Sequence, residues 1–499
     1  MTTPNVTWTH PDLAKILPVY TQISDCIEGQ PAIKAKTTTY LPEPHSSARV
    51  IPGDANGETR YKSYLTRALF YNVTGRTLAG LIGQVFMRNP VIKAPKELAS
   101  VIEDADGCNV SLCQLARRAV AQVSSKGRAG VLTDFPKAQG EISKADLEAG
   151  AMRPTITHYN PENIINWRVT RVGAEKKLTL VVLKEPYLAN EDGFQQEWQD
   201  QYKVLRIAPS GYYQVEVYRV ETNPENKASE LRPGDRVYMP RDAAGEPFTE
   251  IPFDFIGSGN NDICVDKPPL SDLSDLNIAH YRNSADYEES CFMVGQPTPY
   301  FTGLTEDWVK NVLKGGIALG SRGAVPLPAD SSAGLLQVQP NSMPLEAMKH
   351  KEHQMVALGA RLVEEKQVQR TATEVDSDDS GEKSVLAMIA RNVSAAYTNA
   401  LKWAAVFVGT SEETISVELN LDFDTKGMSA NERQQLLLEW QSGAIAFDEM
   451  RVNLTESNVA RLDAKEAKVL IDAENKERDT RLTKQETQDG TRRKSNTEE

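Results

Sequence analysis

Residues 268–297 read PPLSDLSDLNIAHYRNSADYEESCFMVGQP, and residues 344–363 read PLEAMKHKEHQMVALGARLV. In the first stretch Leu273, Leu276, His280, Tyr281, Ser284 and Tyr287 return at three- and four-residue steps, the period of one helix face. Asn277, Arg282, Asp286 and Glu289 fall on the other face. Pro268-Pro269 precedes the helix, Ser271 is its expected N-cap, and Asp272 and Asp275 suit the positive end of the helix dipole. Gly295-Gln296-Pro297 ends it. About twenty-two residues make a rod of roughly 33 Å, with a face too polar for an ordinary buried helix. The second stretch predicts a helix from about Pro344 to Val363, with Leu345, Met348, Met355, Leu358 and Leu362 on one side and Lys349, Lys351, Glu352 and Arg361 on the other.

Between the two rods, the segment from Pro297 to Pro340 offers one short helix candidate, Glu306 to Leu313. Its other apolar pieces are broken by Gly315-Gly316, Gly320, Gly323, Pro326 and Pro328, which reads as a small α+β module on a two-helix stalk. After Val363 comes EEKQVQRTATEVDSDDSGEK (364–383), without a sustained apolar period. Long loops of this kind inside compact domains are functional or disordered. A long helix then starts at Ser384, with the stripe Val385, Leu386, Ile389, Val393, Ala396, Tyr397, Ala400, Leu401, Ala404 and Val408. Arg391, Asn392, Asn399 and Lys402 sit within that span and exclude a membrane crossing. Two helices bracketing an insert without a catalytic cluster suit a ring-shaped channel better than an enzyme.

That order of helix, insert, helix, polar loop and long helix resembles the portal proteins of tailed bacteriophages. Local strings carry the resemblance: Arg60-Tyr61-Lys62-Ser63-Tyr64 to Arg67-Ala68-Leu69-Phe70, Thr77-Leu78-Ala79-Gly80-Leu81-Ile82-Gly83-Gln84-Val85-Phe86, Leu358-Gly359-Ala360-Arg361-Leu362 with Thr371-Ala372-Thr373-Glu374, and Leu386-Ala387-Met388-Ile389-Ala390-Arg391-Asn392-Val393-Ser394. The order spans about residues 50 to 460. The resemblance implies an α+β, portal-like fold: helical stem and core, β-rich wing, small α+β clip and helical C-terminal crown. Its divisions fall at 1–52 (an arm with little regular structure), 53–267 (wing), 268–295 (first stem helix), 296–340 (clip), 341–364 (second stem helix), 365–383 (tunnel loop), 384–428 (long core helix and wing strand) and 429–499 (crown with a disordered tail).

The resemblance further implies a homo-oligomeric ring of about twelve copies at one capsid vertex of the virion, assembled in the host cytoplasm, and closed by head-to-tail contacts. Double-stranded DNA would pass through it without sequence specificity. The partners implied are the terminase large subunit, a neck or tail adaptor, and the major capsid and scaffolding proteins, with no membrane, no cofactor and no catalysis by this chain. The tunnel loop would face the DNA with Lys366, Gln367, Gln369, Arg370, Thr371, Thr373, Glu374, Asp376, Asp378 and Asp379. Lys366 and Arg370 would touch phosphates transiently, while the four acids would prevent sticking.

Composition fits a large conduit subunit. The chain has 499 residues and a formal charge of −13, the opposite bias from a tight, sequence-specific duplex binder. An acidic or mixed wall lets a polyanion slide. Five scattered cysteines (Cys26, Cys108, Cys113, Cys264, Cys291) argue for reduced thiols rather than a disulfide framework. Met1 to Pro11 is polar and lacks the apolar core of a signal peptide.

Elsewhere, Tyr61 to Phe70, Thr77 to Phe86 and Ser111 to Ser124 read as helices. Leu178 to Leu183, Tyr202 to Ile207 and Tyr213 to Tyr218 read as a strand meander with its last turn at Ser210-Gly211, and Ile415 to Phe423 as a late strand. Ser429 with Glu432 forms a capping-box pattern before Leu436, Leu437 and Trp440, Gly443 is the expected stop, and Phe447 to Leu454 a second short helix. From Ala464 onward nine basic and nine acidic residues alternate, the mark of an exposed helix giving way to a disordered end.

Sharper chemistry finds little footing. Gly315 to Ser321 has phosphate-loop glycine spacing, but Ser321-Arg322 stands where a Lys-Ser/Thr pair is needed. His350 and His353 lack a third ligand, Cys108 and Cys113 have the wrong spacing for a zinc knuckle, and Asp376, Asp378 and Asp379 lack a calcium loop's pattern. No Gly-x-Ser-x-Gly elbow is present. The rival readings are a metal-dependent nucleic-acid-processing enzyme using Asp254, Asp262 and Asp266, and another multimeric virion scaffold without DNA passage. Deleting Gln369 to Ser380 is expected to impair DNA retention or packaging while ring assembly continues; a deletion that packages normally would remove the loop from the channel.

Overall fold

The computed structural model describes residues 5–44, 55–135, 153–191, 193–222, 229–296, 298–313, 327–336, 342–362, 384–421, 423, 430–456, 459–460, 462 and 464–476. The chain divides into two units, Met1–Leu421 and Asp422–Glu499. The first begins with helices α1 (Pro11–Glu28), α2 (Gln30–Ala35), α3 (Ala55–Arg67) and α4 (Val73–Val85), then β1 (Val91–Lys93), α5 (Ala99–Glu103) and α6 (Leu112–Lys126). Strands follow: β2 (Arg128–Asp134), β3 (Thr155–Tyr159), β4 (Ile164–Val172), β5 (Glu175–Glu191), β6 (Gln196–Ile207), β7 (Tyr213–Thr222), β8 (Ser229–Arg232), β9 (Val237–Tyr238) and β10 (Phe253–Gly257). Then come α7 (Ser271–Val294), β11 (Thr298–Thr302), β12 (Ser332–Leu336), α8 (Met343–Arg361), α9 (Val385–Val408) and β13 (Ser416–Glu418).

The mixed helix-and-sheet class agrees with an α+β chain. Two expectations fail. The stretch up to Pro52 is not an irregular arm, because α1 and α2 occupy much of it. His10 caps α1, its Nδ1 accepting from the Asp12 amide at 3.3 Å, and Leu13, Tyr20, Ile23 and Cys26 are buried from the same helix. Prolines and threonines there punctuate helices rather than exclude them. The late strand is also shorter than Ile415 to Phe423 suggested: among the described residues only Ser416–Glu418 pairs, with Val91–Lys93.

Local chemistry accounts for the other elements. Ser111 and Gln114 close a reciprocal capping box on α6, and Gly127 ends that helix at φ +75°. Ser384 caps α9, accepting from the Ala387 amide at 3.2 Å, and Gly409 ends it at φ +76°. The six-stranded sheet is an antiparallel meander, β4-β5-β6-β7-β8, with β9 also on β7. Gly211, at φ +87°, makes the β6–β7 turn. A second sheet orders β10-β2-β3.

Between these sheets and α9 lies an aromatic core. Phe135 stacks on Phe248 at 4.6 Å and on Phe407 at 4.9 Å, pairs worth about 0.5–1.5 kcal/mol beyond their buried area. Arg128 is buried between the rings of Trp167 and Phe255, at 4.2 and 4.3 Å, and donates to the Ile263 carbonyl at 2.9 Å. Burial lowers its pKa to about 10, so it stays charged. Polar ties bind α9 to the neighbouring strands: Thr133 Oγ1 donates to the Ala400 carbonyl at 3.1 Å, and Asn392 Nδ2 to the Gly257 carbonyl at 2.8 Å.

The second unit contains α10 (Ala430–Gln441), α11 (Phe447–Glu456) and a helix over 464–476. Gly443, at φ +77°, turns the chain between α10 and α11, and Trp440 meets Phe447 edge-on at 5.9 Å. Ser429, half of the expected capping box, lies outside the described residues.

Asp254 on β10 is held beside Asn399 of α9, and burial lifts its carboxyl to about 6 despite the lowering bond from Asn399. A carboxyl whose pKa rises on folding opposes folding when charged. That penalty is full above about pH 6 and disappears as pH falls below the unfolded value of 3.8. Asp254→Asn is therefore expected to stabilise the protein by about 1–2 kcal/mol at pH 7.5 and hardly at all at pH 4. Urea melts at both pH values check it; an equal effect at both would refute the burial account.

Candidate functional site

The helices α7 and α8 lie against one another antiparallel. His280 Nε2 is 3.2 Å from Glu352 Oε1, and Lys351 Nζ donates to Asn283 Oδ1 at 3.0 Å, so the partners step in opposite directions along the two rods. Lys351 and Glu352, on the side of α8 away from its apolar stripe in the sequence reading, both reach α7. Met355 is the buried apolar residue of α8. Toward the Ser271 end the rods part into an open groove of about 590 Å³, lined by Asp272, Asp275, Leu276, Gln354, Leu358 and Arg361.

The polar character of α7 has a source that periodicity did not reveal. Ser271 does not cap the helix: Leu270 holds the N-cap position, and the Ser271 hydroxyl is buried with no partner among the described residues. Ser274, Asn277 and Ser284 are buried against the N-terminal helices. Gln22 Nε2 donates to Ser274 Oγ at 3.2 Å and to Asp275 Oδ1 at 2.6 Å. Asn277 Oδ1 accepts from the Thr74 amide at 3.1 Å and its hydroxyl at 2.9 Å, while Asn277 Nδ2 donates to the Tyr71 carbonyl at 2.8 Å. Ser284 Oγ donates to the Leu69 carbonyl at 2.6 Å.

Further along, Arg282 Nε donates to the Tyr40 carbonyl at 2.8 Å, Tyr64 Oη donates to Asp286 Oδ1 at 2.7 Å, and Arg67 pairs with Glu289. The face carrying Asn277, Arg282, Asp286 and Glu289 thus anchors the helix within its own chain. Between these polar groups Ile278, Tyr281 and Ala285 fill a second core with Cys26, Ile33, Tyr40, Leu41, Tyr64, Ala68 and Phe70.

At the other end of the pair, β11 and β12 form an antiparallel ribbon, Thr298 opposite Leu336 and Thr302 opposite Ser332. A Cβ on Gly334 would stand 2.7 Å from the Tyr300 ring, so a larger residue there would have to displace that half-exposed ring. Large apolar side chains stay open on this stalk: Val356 is 69% exposed, Leu336 69% and Leu335 62%.

The segment expected to face DNA leaves after Leu362 and returns at Ser384. Leu386 donates its amide to the Leu362 carbonyl at 3.2 Å, so both ends of the excursion meet at one point where α8 hands over to α9. Lys366, Gln367, Gln369, Arg370, Thr371, Thr373, Glu374, Asp376, Asp378 and Asp379 themselves lie outside the described residues, as does the glycine run from Gly315 to Ser321.

The carboxylates of the rival enzyme reading do not converge. Asp254 faces Asn399, Asp262 Oδ1 accepts from the Cys264 amide at 2.7 Å, and Asp266 Oδ2 accepts from the Gly259 amide at 2.8 Å. The last two serve a turn around the buried Arg128. His350 Nε2 lies 3.1 Å from Gln354, and Glu352 is engaged by His280. Among the described residues no three His, Cys, Asp or Glu side chains are grouped to hold a metal ion, all five thiols are free, and no helix is long and apolar enough to cross a membrane.

A family model described as a domain of unknown function, DUF4055, matches residues 269–408, from the start of α7 to the end of α9. No curated protein matches the chain. Among solved structures the chain is similar to one from the neck of an empty GTA particle computed with C6 symmetry, at 13% identity and TM-score 0.41, covering 77% of this chain and 90% of that one. It is similar to one from the neck of a native GTA particle computed with C12 symmetry, at 13% identity and TM-score 0.40, covering 77% and 89%. A chain from the virion of a native gene transfer agent (GTA) particle shows 12% identity and TM-score 0.39, covering 79% and 92%.

Asn277→Ala removes three hydrogen bonds at once and leaves the buried Thr74 amide and hydroxyl without their acceptor, while the Tyr71 carbonyl keeps the Val73 amide. A loss of about 2–4 kcal/mol is expected, against under about 0.5 kcal/mol for the exposed Gln354→Ala. Equilibrium urea denaturation measures both, and equal losses would deny Asn277 its anchoring part.

Proposed function

We propose that this chain is a structural subunit of the head-to-tail region of a phage-like particle, and within that class a portal: a ring whose bore passes double-stranded DNA. The observation carrying this reading is the antiparallel pair α7–α8, which holds the β11–β12 ribbon at one end and pins both ends of a polar loop at the other. Rigid rods of this kind suit a channel wall. The open apolar residues of α8 and the ribbon would be covered by neighbouring copies, and the groove beside Leu358 would receive part of the next stalk.

The mechanism is geometric. No bond is made or broken by this chain, and ATP hydrolysis belongs to a separate terminase motor. Each phosphate contact that displaces a counterion adds affinity and salt dependence, so a conduit needs few lasting ones. Lys366 and Arg370 supply transient contacts, and Glu374, Asp376, Asp378 and Asp379 keep the loop from gripping. The ribbon end would meet the motor during packaging and a neck or tail adaptor afterwards, while the sheets and outer helices face capsid and scaffolding proteins at the vertex.

Negative-stain imaging of the purified chain tests the reading directly. Rings with a central hole are expected, and a uniform monomer would end the proposal. Leu358→Asp places a charge in the groove and is expected to abolish or greatly reduce ring formation while leaving the fold intact by circular dichroism. Normal rings from that variant would take the groove out of the subunit contact.

A further inference from the structure

The six-stranded sheet has ends of opposite charge. Where β4 turns into β5, Arg168, Arg171 and Lys176 are all exposed, and Arg171 stands directly opposite Lys176 in the ladder. Like charges opposite one another across strands are destabilising, so this pairing works against the sheet in an isolated copy. Lys177 beside them donates to Glu250 at 2.8 Å and lies 3.9 Å from Glu175 in the same turn, so with these two acids counted the end keeps a surplus of positive charge from Arg168, Arg171 and Lys176. The other end of β5, with β6, projects as a two-stranded ribbon. There Lys184 and Asp200 neutralise one another at 2.8 Å, while Glu191 and Glu197 remain exposed and Asp192 adds to them in sequence. Leu188 and Trp198, opposite each other on this ribbon, are 37% and 57% exposed. A lone two-stranded ribbon gains little from its own pairing.

From Lys176 to Glu191 the strand covers about 50 Å, several Debye lengths at physiological salt. The two ends therefore cannot neutralise each other within one copy. We infer that the acidic ribbon end of β5–β6 docks on the basic β4–β5 end of a second copy of this chain. Distinct, complementary patches are what a head-to-tail contact requires, whereas a two-fold dimer needs one self-complementary patch. Charges placed so set partner orientation and encounter rate, and the Leu188–Trp198 pair supplies the apolar contact. This inference rests on the ring reading and adds to it the outer contact that fixes the rotation between subunits.

The test uses the full chain, the reversed pairs Arg171→Glu/Lys176→Glu and Glu191→Lys/Glu197→Lys, and the combination of all four, each checked for folding by circular dichroism. Mass photometry and sedimentation at low and high salt read the concentration at which rings form. Each reversed pair alone is expected to raise that concentration at least about tenfold, and the combination, which restores opposite signs, to return it to within about threefold of the parent. Assembly of both reversed pairs like the parent would overturn the docking while leaving the ring intact, and so would a combination no better than either pair. A parent chain that forms no ring removes the ring reading and this contact together.

Discussion

The first unit depends on one buried amide. Asn277 bridges the Thr74 amide and hydroxyl to the Tyr71 carbonyl, where the start of α4 would otherwise bury the Thr74 amide without a partner. With Ser274 and Ser284 on the same face, it fixes both the height and the rotation of α7 against the N-terminal helices. An apolar face alone would specify burial without specifying register. The fully buried Tyr281 contributes roughly 1.5–3 kcal/mol of area burial, while the amide decides which residue stands beside which.

From that anchor the mechanics of the stalk follow. The Ser271 end of α7 is clasped by α1 and α4, with α3 holding Asp286 and Glu289 further along. Beyond them Phe292 and Met293 are open to solvent. A clasped rod can hold its projecting end, and the ribbon on it, in a fixed direction. The hydrogen bond between Leu386 and Leu362 brings the start of α9 to the end of α8. Joining the two ends at one point takes out the loop-closure term, which grows only slowly with the length of the connection.

Charge is distributed with similar economy. The net −13 resides on a chain whose buried cations are individually matched: Arg128 lies between two rings, and Lys203 pairs with Asp134 beneath the sheet. Buried charges without such company carry a penalty of several kcal/mol.

Much of this was legible in the residues. Three- and four-residue periods placed α4, α6, α8 and α9, alternation placed β5 to β7, and glycines marked their turns, because each signal acts within a few residues of its effect. The extent of α1 was missed where Pro18 and the threonines of 37–39 masked a helical stripe. On α7 the period gathered Leu273, His280, Tyr281 and Ser284, all of them buried, but set Asn277 on the opposite face. Asn277 and Ser284 are polar by type and become interior only because Thr74, Tyr71 and Leu69, some two hundred positions earlier, present backbone groups to them. The meeting of Leu362 with Leu386 and the scattering of Asp254 away from Asp262 and Asp266 were likewise decided by packing. A residue's chemistry and its neighbours in the chain determine which element forms; what that element's polar groups will face is settled only when distant segments arrive.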